Sequence, residues 1–262
     1  MRKVFTILIL SFVLSVSAIA GSDGDNSLKK KQSNNEVKDC FEGVNRSIFA
    51  FNSALDKSIF KPIAKGYTYI PSPIRKGSSN ALHNISNLVT VPNNLLQGEI
   101  KKAGVNTLRF AINSTVGILG IFDAANALGL KKNDKEDYGQ TLGSWGIGPG
   151  CYVVLPILGP STVRDTVGSL ANFVGGDPWY NVTVKNDTTY FKDADYYSTR
   201  ATSAIDFRAK NLDSLDNLEK NSIDFYASIR SLYLQDRQQK ILNSKKVTDT
   251  MDDSDWEEIE TE

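Results

Sequence analysis

The chain has 262 residues, 40% hydrophobic and 23% charged, a composition that excludes disorder for its bulk and supplies one large core or two small ones. Lys and Arg together number 30, as do Asp and Glu. With no positive excess to neutralise phosphates, nucleic acid is excluded as a partner.

In chain order, Arg2 and Lys3 precede a mostly apolar run from Val4 to Val16, and Ala18-Ile19-Ala20 gives the small-x-small pattern that signal peptidase reads. Residues 1–20 are expected to be a signal peptide. The alternative, an N-terminal anchor, is disfavoured because a spanning helix needs about 20 apolar residues. No later stretch is apolar for long enough to cross a bilayer, which excludes a helical multi-span protein. Residues 21–38 are polar and contain Lys29-Lys30-Lys31. They read as a flexible leader, either solvated or touching anionic lipid headgroups. The two cysteines, Cys40 and Cys151, lie beyond the cleavage site, so export to an oxidising compartment permits a disulfide between them. The alternative is two buried thiols acting as small hydrophobes.

Phe41, Val44, Ile48, Phe51, Leu55 and Ile59 recur at helical spacing, which predicts a helix ended before Pro62 with Asn45, Asn52 and Asp56 along its polar edge. Leu96, Ile100, Ala103, Leu108, Ala111 and Ile112 predict a second helix. Ile118 to Leu128 is a short apolar segment capped by Gly129, and the charged loop from Lys131 to Asp137 follows. Gly139 to Asp165 then sets two glycine-rich turns around a short apolar run, the pattern of a shaped loop beside a ligand or a membrane. Val153 to Leu155 suggests a brief strand without alternating partners. Ile205, Leu212, Leu215, Ile223, Tyr226, Ile229 and Tyr233 mark one long helix or two in tandem. The predicted class is mainly α, and residues 244–262 read as a disordered acidic tail.

Candidate chemistry is sparse. The single histidine, His83, sits in the polar stretch Ser78 to Asn87 and reads as a surface or capping residue, with no Gly-x-Ser-x-Gly elbow for it to serve. One histidine and two cysteines cannot build the common zinc site. Gly146-Ile147-Gly148-Pro149-Gly150 lacks the Lys-Ser/Thr of a phosphate loop. Asp134, Glu136 and Asp137 fall in a loop read as solvated, which disfavours acid-base work. No catalytic residue, metal or cofactor is expected.

Glu42-Gly43-Val44-Asn45-Arg46-Ser47-Ile48-Phe49-Ala50-Phe51-Asn52 resembles the opening motif of the MlaA (VacJ) family of outer-membrane lipoproteins. Further blocks agree in order: Lys61-Pro62-Ile63-Ala64, Pro71-Ser72-Pro73-Ile74-Arg75, Asn80-Ala81-Leu82-His83-Asn84-Ile85, Asn93-Asn94-Leu95-Leu96-Gln97-Gly98 and Arg109-Phe110-Ala111-Ile112-Asn113-Ser114-Thr115. The stretch from Asp137 to Asp165 resembles the family's most recognisable segment, and Ile229 to Arg237 its closing R-x-x-Y-L-Q-x-R.

The resemblance implies an MlaA-like helical domain over residues 39–243, a ring-like bundle of amphipathic helices lying in the outer membrane from its periplasmic side. It implies removal of misplaced phospholipid from the outer leaflet to a periplasmic carrier of the Mla type, with a porin as an open candidate partner. A structural adaptor or a lipid hydrolase are the alternatives. Asn45, Asn52, Phe49 and Phe51 are the expected lipid-contacting or gating residues. Trp145 and Tyr152 are candidates for interface anchors or for core packing. Arg46, Arg164 and Asp165 are expected to be structural pairing groups. Three departures stand out. Ala20-Gly21 replaces the lipobox cysteine, so acylation there is not expected; Cys40 and Cys151 together replace family prolines, which strengthens the case for a disulfide; and Phe225 replaces another proline.

Overall fold

A computed structural model describes residues 37–171, 177–184 and 192–242. The expected signal peptide (1–20), residues 21–36 of the leader and the tail (244–262) lie outside the described residues. The chain divides after Glu36 into two units, and every element below belongs to the second, which begins at Val37.

Helix α1 spans Glu42–Leu55, passes through a π turn at Asp56–Phe60 and continues as α2 over Lys61–Thr68. The expected stop before Pro62 does not occur. Pro62 follows the π turn directly, and the wider π ring ahead of it shifts the helix register at the point where a proline nitrogen has no hydrogen to donate.

Helix α3, Ser72–Leu96, is the element that apolar periodicity missed. Its buried face is Gly77, Asn84, Asn87, Thr90, Asn93 and Asn94, which recur at helical spacing but are mostly polar, so a search for apolar repeats passes over them. His83 lies mid-helix and half-buried, not at a cap or on an ordinary surface. Helix α4, Ile100–Thr115, packs along α3. Its expected start at Leu96 is displaced by a turn in which Gly98 adopts a φ of 77°.

Helix α5 is one short turn, Ala124–Ala127, and α6 covers Tyr138–Ser144. The Asp137 carboxylate caps α6 by accepting the Gln140 N–H at 2.9 Å. The loop before it is not wholly solvated as expected, because Glu136 is only 5% exposed and Asp137 is bound by Arg237. Strand β1, Tyr152–Leu155, pairs antiparallel with β2, Gly159–Thr162, with Tyr152 opposite Thr162. Gly-Pro-Ser-Thr carries no alternation of its own, so only the first strand was legible.

Helices α7 (Val163–Ala171) and α8 (Pro178–Thr183) follow, then α9 (Asp193–Lys210), α10 (Leu212–Asn221) and α11 (Phe225–Leu242). The last apolar run is thus three helices, where one or two were expected. Asp224 accepts the Ala227 N–H at 3.1 Å and so starts α11. Phe225 is the first residue of that helix, a position that proline or any other residue can fill. Around this end sits an aromatic core in which Phe49, Tyr152 and Tyr226 pack edge to face, with centroids 5.4 and 6.1 Å apart.

Candidate functional site

Burial in this fold is inverted. Among the described residues, 7 hydrophobic side chains are buried against 18 polar or charged ones, while 30 large hydrophobics are exposed. Helix α7 shows the pattern at single-turn resolution. It buries Arg164 and Asp165, at 7% and 5% exposure, and exposes Val163, Val167 and Leu170, which recur at i, i+4 and i+7 on one face. The stripe on α1 and α2 behaves alike, with Phe41, Val44, Phe51, Ile59 and Ile63 all exposed. Scattered exposed apolar residues are ordinary, whereas rows of them on helices with polar interiors are not. Each half-exposed side chain would gain on the order of 1 kcal/mol on leaving water for hydrocarbon.

Several of the buried polar groups form a seam along α3 and α4. Asn106 Nδ2 donates to Asn94 Oδ1 at 2.8 Å, and Asn133 Nδ2 to Asn106 Oδ1 at 3.1 Å. The Thr141 hydroxyl donates to Asn93 Oδ1 at 2.6 Å. Gln97 Nε2 donates to both Glu136 and Thr141 at 3.1 Å. Further along, Arg109, 1% exposed, donates twice at 2.9 Å to Asp123 and also binds the Leu130 carbonyl. Because buried amides are costly unless paired, such a seam persists only as a connected network. Burial raises the Glu136 carboxyl to about 7, against the lowering effect of Gln97.

Beside the seam lies a cavity of about 290 Å³. Leu82, Ile85 and Val89 of α3, with Ser86 and Thr90 among them, form a mainly apolar wall; Lys135 to Asp137, with Thr199, Arg200 and Ser203 of α9, form a polar one. A space with one greasy and one wet wall suits an amphiphile.

The glycine-rich segment closes on an ion cluster. Arg237 of α11 donates to Asp137 at 2.6 and 2.9 Å and to Asp165 at 2.9 and 3.1 Å. Asp165 also accepts from Arg164 at 3.0 Å and from the Tyr233 hydroxyl at 2.6 Å. Burial alone would raise both carboxyls, but Arg237 overrides it, and Asp137 is brought down to about 2. Glycine is required where α6 meets α7. A Cβ on Gly139 would stand 2.6 Å from Asp165 Oδ1, and one on Gly168 2.4 Å from the Gly139 nitrogen.

The hairpin is held from α1. Asn45 Nδ2 donates to the Tyr152 carbonyl at 3.0 Å and to Asp39 at 2.7 Å, while its Oδ1 accepts the Val154 N–H at 2.8 Å. Asn52 does the same at the turn, donating to the Leu155 carbonyl at 2.9 Å and accepting the Ile157 N–H at 2.7 Å. Both carboxamides, expected at the lipid, are thus engaged with the hairpin backbone, which they staple to α1. Phe49 packs, partly buried, against the aromatic core, and Tyr152, at 0% exposure, is part of it. Phe51 and Trp145 are exposed, the latter donating to the Leu96 carbonyl at 2.9 Å. Arg46 bonds Glu42 and Asp224 at 2.7 Å and stacks on Tyr226; Arg164 and Asp165 pair with each other. Cys40 and Cys151 are joined by a disulfide with Cα atoms 5.6 Å apart. Sequence reasoning missed the α3 asparagines, whose helical spacing was the available signal, and the cations beside the cavity, which carried none.

The family model of the MlaA lipoprotein matches residues 37–240. The intermembrane phospholipid transport system lipoprotein MlaA of Haemophilus influenzae is 33% identical over 251 residues, covering 91% of this chain and 92% of the relative. Its Escherichia coli counterpart is 34% identical over 201 residues, covering 75% and 76%. An uncharacterised protein of Rickettsia bellii is 38% identical over 208 residues, covering 79% and 78%. A solved structure described as the structural basis for maintenance of bacterial outer membrane lipid asymmetry aligns with a TM-score of 0.66 at 31% identity, covering 78% of this chain and 99% of that one.

Proposed function

The chain belongs to the MlaA lipoprotein family, and from that membership we propose that it is the outer-membrane component of an intermembrane phospholipid transport system. In this role it removes misplaced phospholipid from the outer leaflet and so maintains lipid asymmetry. The inverted burial pattern carries the reading. No helix among the described residues is long and apolar enough to cross a membrane, yet whole helix faces are apolar and outward. Helices of that kind lie in the membrane plane with their apolar rows in the acyl region. Phe51, Trp145 and the hairpin tip at Ile157 and Leu158, all exposed, then contact lipid directly.

The finer parts of the reading are a ring of helices around the passage, a periplasmic orientation after signal-peptide removal, hand-over to a periplasmic carrier and transfer without covalent catalysis. The cavity's two unlike walls support a passage for an amphiphile. Against hydrolysis, His83 is kept neutral, its imidazole lowered to about 3 by burial and then by Lys132 and Lys135, so it is a poor general base. The deciding test is to purify the protein from membranes in mild detergent and identify bound lipid by mass spectrometry. Phospholipid at near-unit ratio is expected. Protein consistently free of phospholipid would point to a scaffold and contradict transfer.

A further inference from the structure

The cations at the rim of the cavity are unevenly matched. Arg200 is bound to Asp177, and Lys210 to Asp206. Asp137 is committed to Arg237. Among the described residues Lys132 and Lys135 have no ion-pair partner, although Lys135 is part of the cavity wall. Both lysines are exposed, so a ligand can reach them. Partial desolvation lowers the proton affinity of each ammonium; for Lys132 the charge of Asp123 opposes this, and for Lys135 the next causes are Lys132 and Lys210, with Asp206 opposing. Glu136, a carboxyl on the same wall, is raised to about 7 by burial and so gives only part of a counter-charge at neutral pH. Lys135 thus stands without an ion-paired carboxylate at the edge of a space that Leu82, Ile85 and Val89 also line, with Lys132 three residues before it.

We propose that Lys135, supported by Lys132 three residues before it, holds the phosphate of a phospholipid headgroup at the mouth of this cavity while the first acyl methylenes lie along Leu82, Ile85 and Val89. This deepens the transport reading and rests on it. An unmatched ammonium pair is stabilised by a phosphate oxygen anion through charge-assisted contacts. A free inorganic phosphate would leave the apolar wall wet, whereas a lipid covers it. The volume, about 290 Å³, is at the small end of ligand sites and fits a headgroup with the first part of its chains, not a whole lipid. The site is therefore a station on the passage.

The test uses the mature protein in nonionic detergent, titrated calorimetrically with dihexanoylphosphatidylglycerol and separately with sodium phosphate. Wild type is expected to bind the short-chain lipid, and K132Q/K135Q to bind it about 10- to 100-fold more weakly, the loss of two charge-assisted contacts. K132R/K135R, which keeps the charges, should remain near wild type, and Lys135→Gln alone should fall between. Both lysines are exposed, and circular dichroism checks that the variants fold. Unchanged lipid affinity in K132Q/K135Q would overturn the headgroup site while leaving the transport reading intact. Sodium phosphate bound as tightly as the lipid would assign the site to a free anion and overturn it too. A wild-type protein that takes up no lipid would overturn both readings together.

Discussion

Arg237 joins three helices through one guanidinium, and Arg237→Met tests whether that junction holds the fold. The side chain is 11% exposed and makes four hydrogen bonds to Asp137 and Asp165. Removing one partner of a buried pair costs about 3–5 kcal/mol when the other charge is orphaned. Here the orphaning is incomplete. Asp165 keeps Arg164 and Tyr233, and the Asp137 side chain, 42% exposed, can turn to water. A loss of about 2–3 kcal/mol is the expected result. At about 2–4 °C per kcal/mol for a domain of this size, the midpoint should fall by roughly 4–12 °C. Thermal unfolding followed by circular dichroism in detergent reads it directly.

The same variant has a pH signature. The Asp137 carboxyl is held at about 2 against an ordinary 3.8. A carboxyl depressed in the folded state contributes fully above its unfolded value and loses that contribution as the pH falls through the folded one. The gap between wild type and variant should be constant from about pH 5 to 8 and close between roughly pH 4 and 2. A midpoint shift below about 1 °C at pH 7, or a gap unchanged down to pH 2, would refute the assignment of Arg237 as a structural junction.

Other substitutions probe other links. The disulfide closes a sequence separation of 111 residues, for which loop entropy sets a ceiling near 4.7 kcal/mol; C40S/C151S should lose about 2–4 kcal/mol in urea, and reductant should lower wild type alike but leave the variant unmoved. Equal stability with and without reductant would show that the bridge contributes nothing. Asn93, at 0% exposure, accepts from Thr141 and donates to the Val89 carbonyl at 2.8 Å. N93L should therefore destabilise by about 1–3 kcal/mol, and a gain in stability would contradict a polar interior. Ile157, at the hairpin tip, is 63% exposed; I157D should leave the unfolding midpoint nearly unchanged yet weaken flotation with phospholipid vesicles, and unaltered flotation would remove this tip from the membrane contact.

What the sequence disclosed depended on whether apolar residues carried the helical period. Phe41, Val44, Phe51 and Ile59 marked α1 and the π turn after it, because a row facing hydrocarbon has the same spacing as a row facing a core. For that reason the row could not say which it faced; only the buried Arg164 and Asp165 behind an exposed Val163 and Val167 separate the two. Helix α3 was illegible because Asn84, Asn87, Asn93 and Asn94 do the packing that Leu does elsewhere. Asn45 and Asn52 were correctly placed on one edge of α1, but their real acceptors and donors lie over a hundred residues away in the hairpin. The same holds for Lys135 and Thr199, far apart in the chain and brought to one cavity only by the docking of α9 near α3.

Removal of phospholipid from the outer leaflet is tested most directly in cells from which the gene has been deleted. Intact cells are treated with an external phospholipase, and the phospholipid it reaches is measured against wild type and against cells carrying the restored gene. Surface-exposed phospholipid should rise on deletion and return to the wild-type level on restoration. Exposure unchanged by deletion would contradict the transport function.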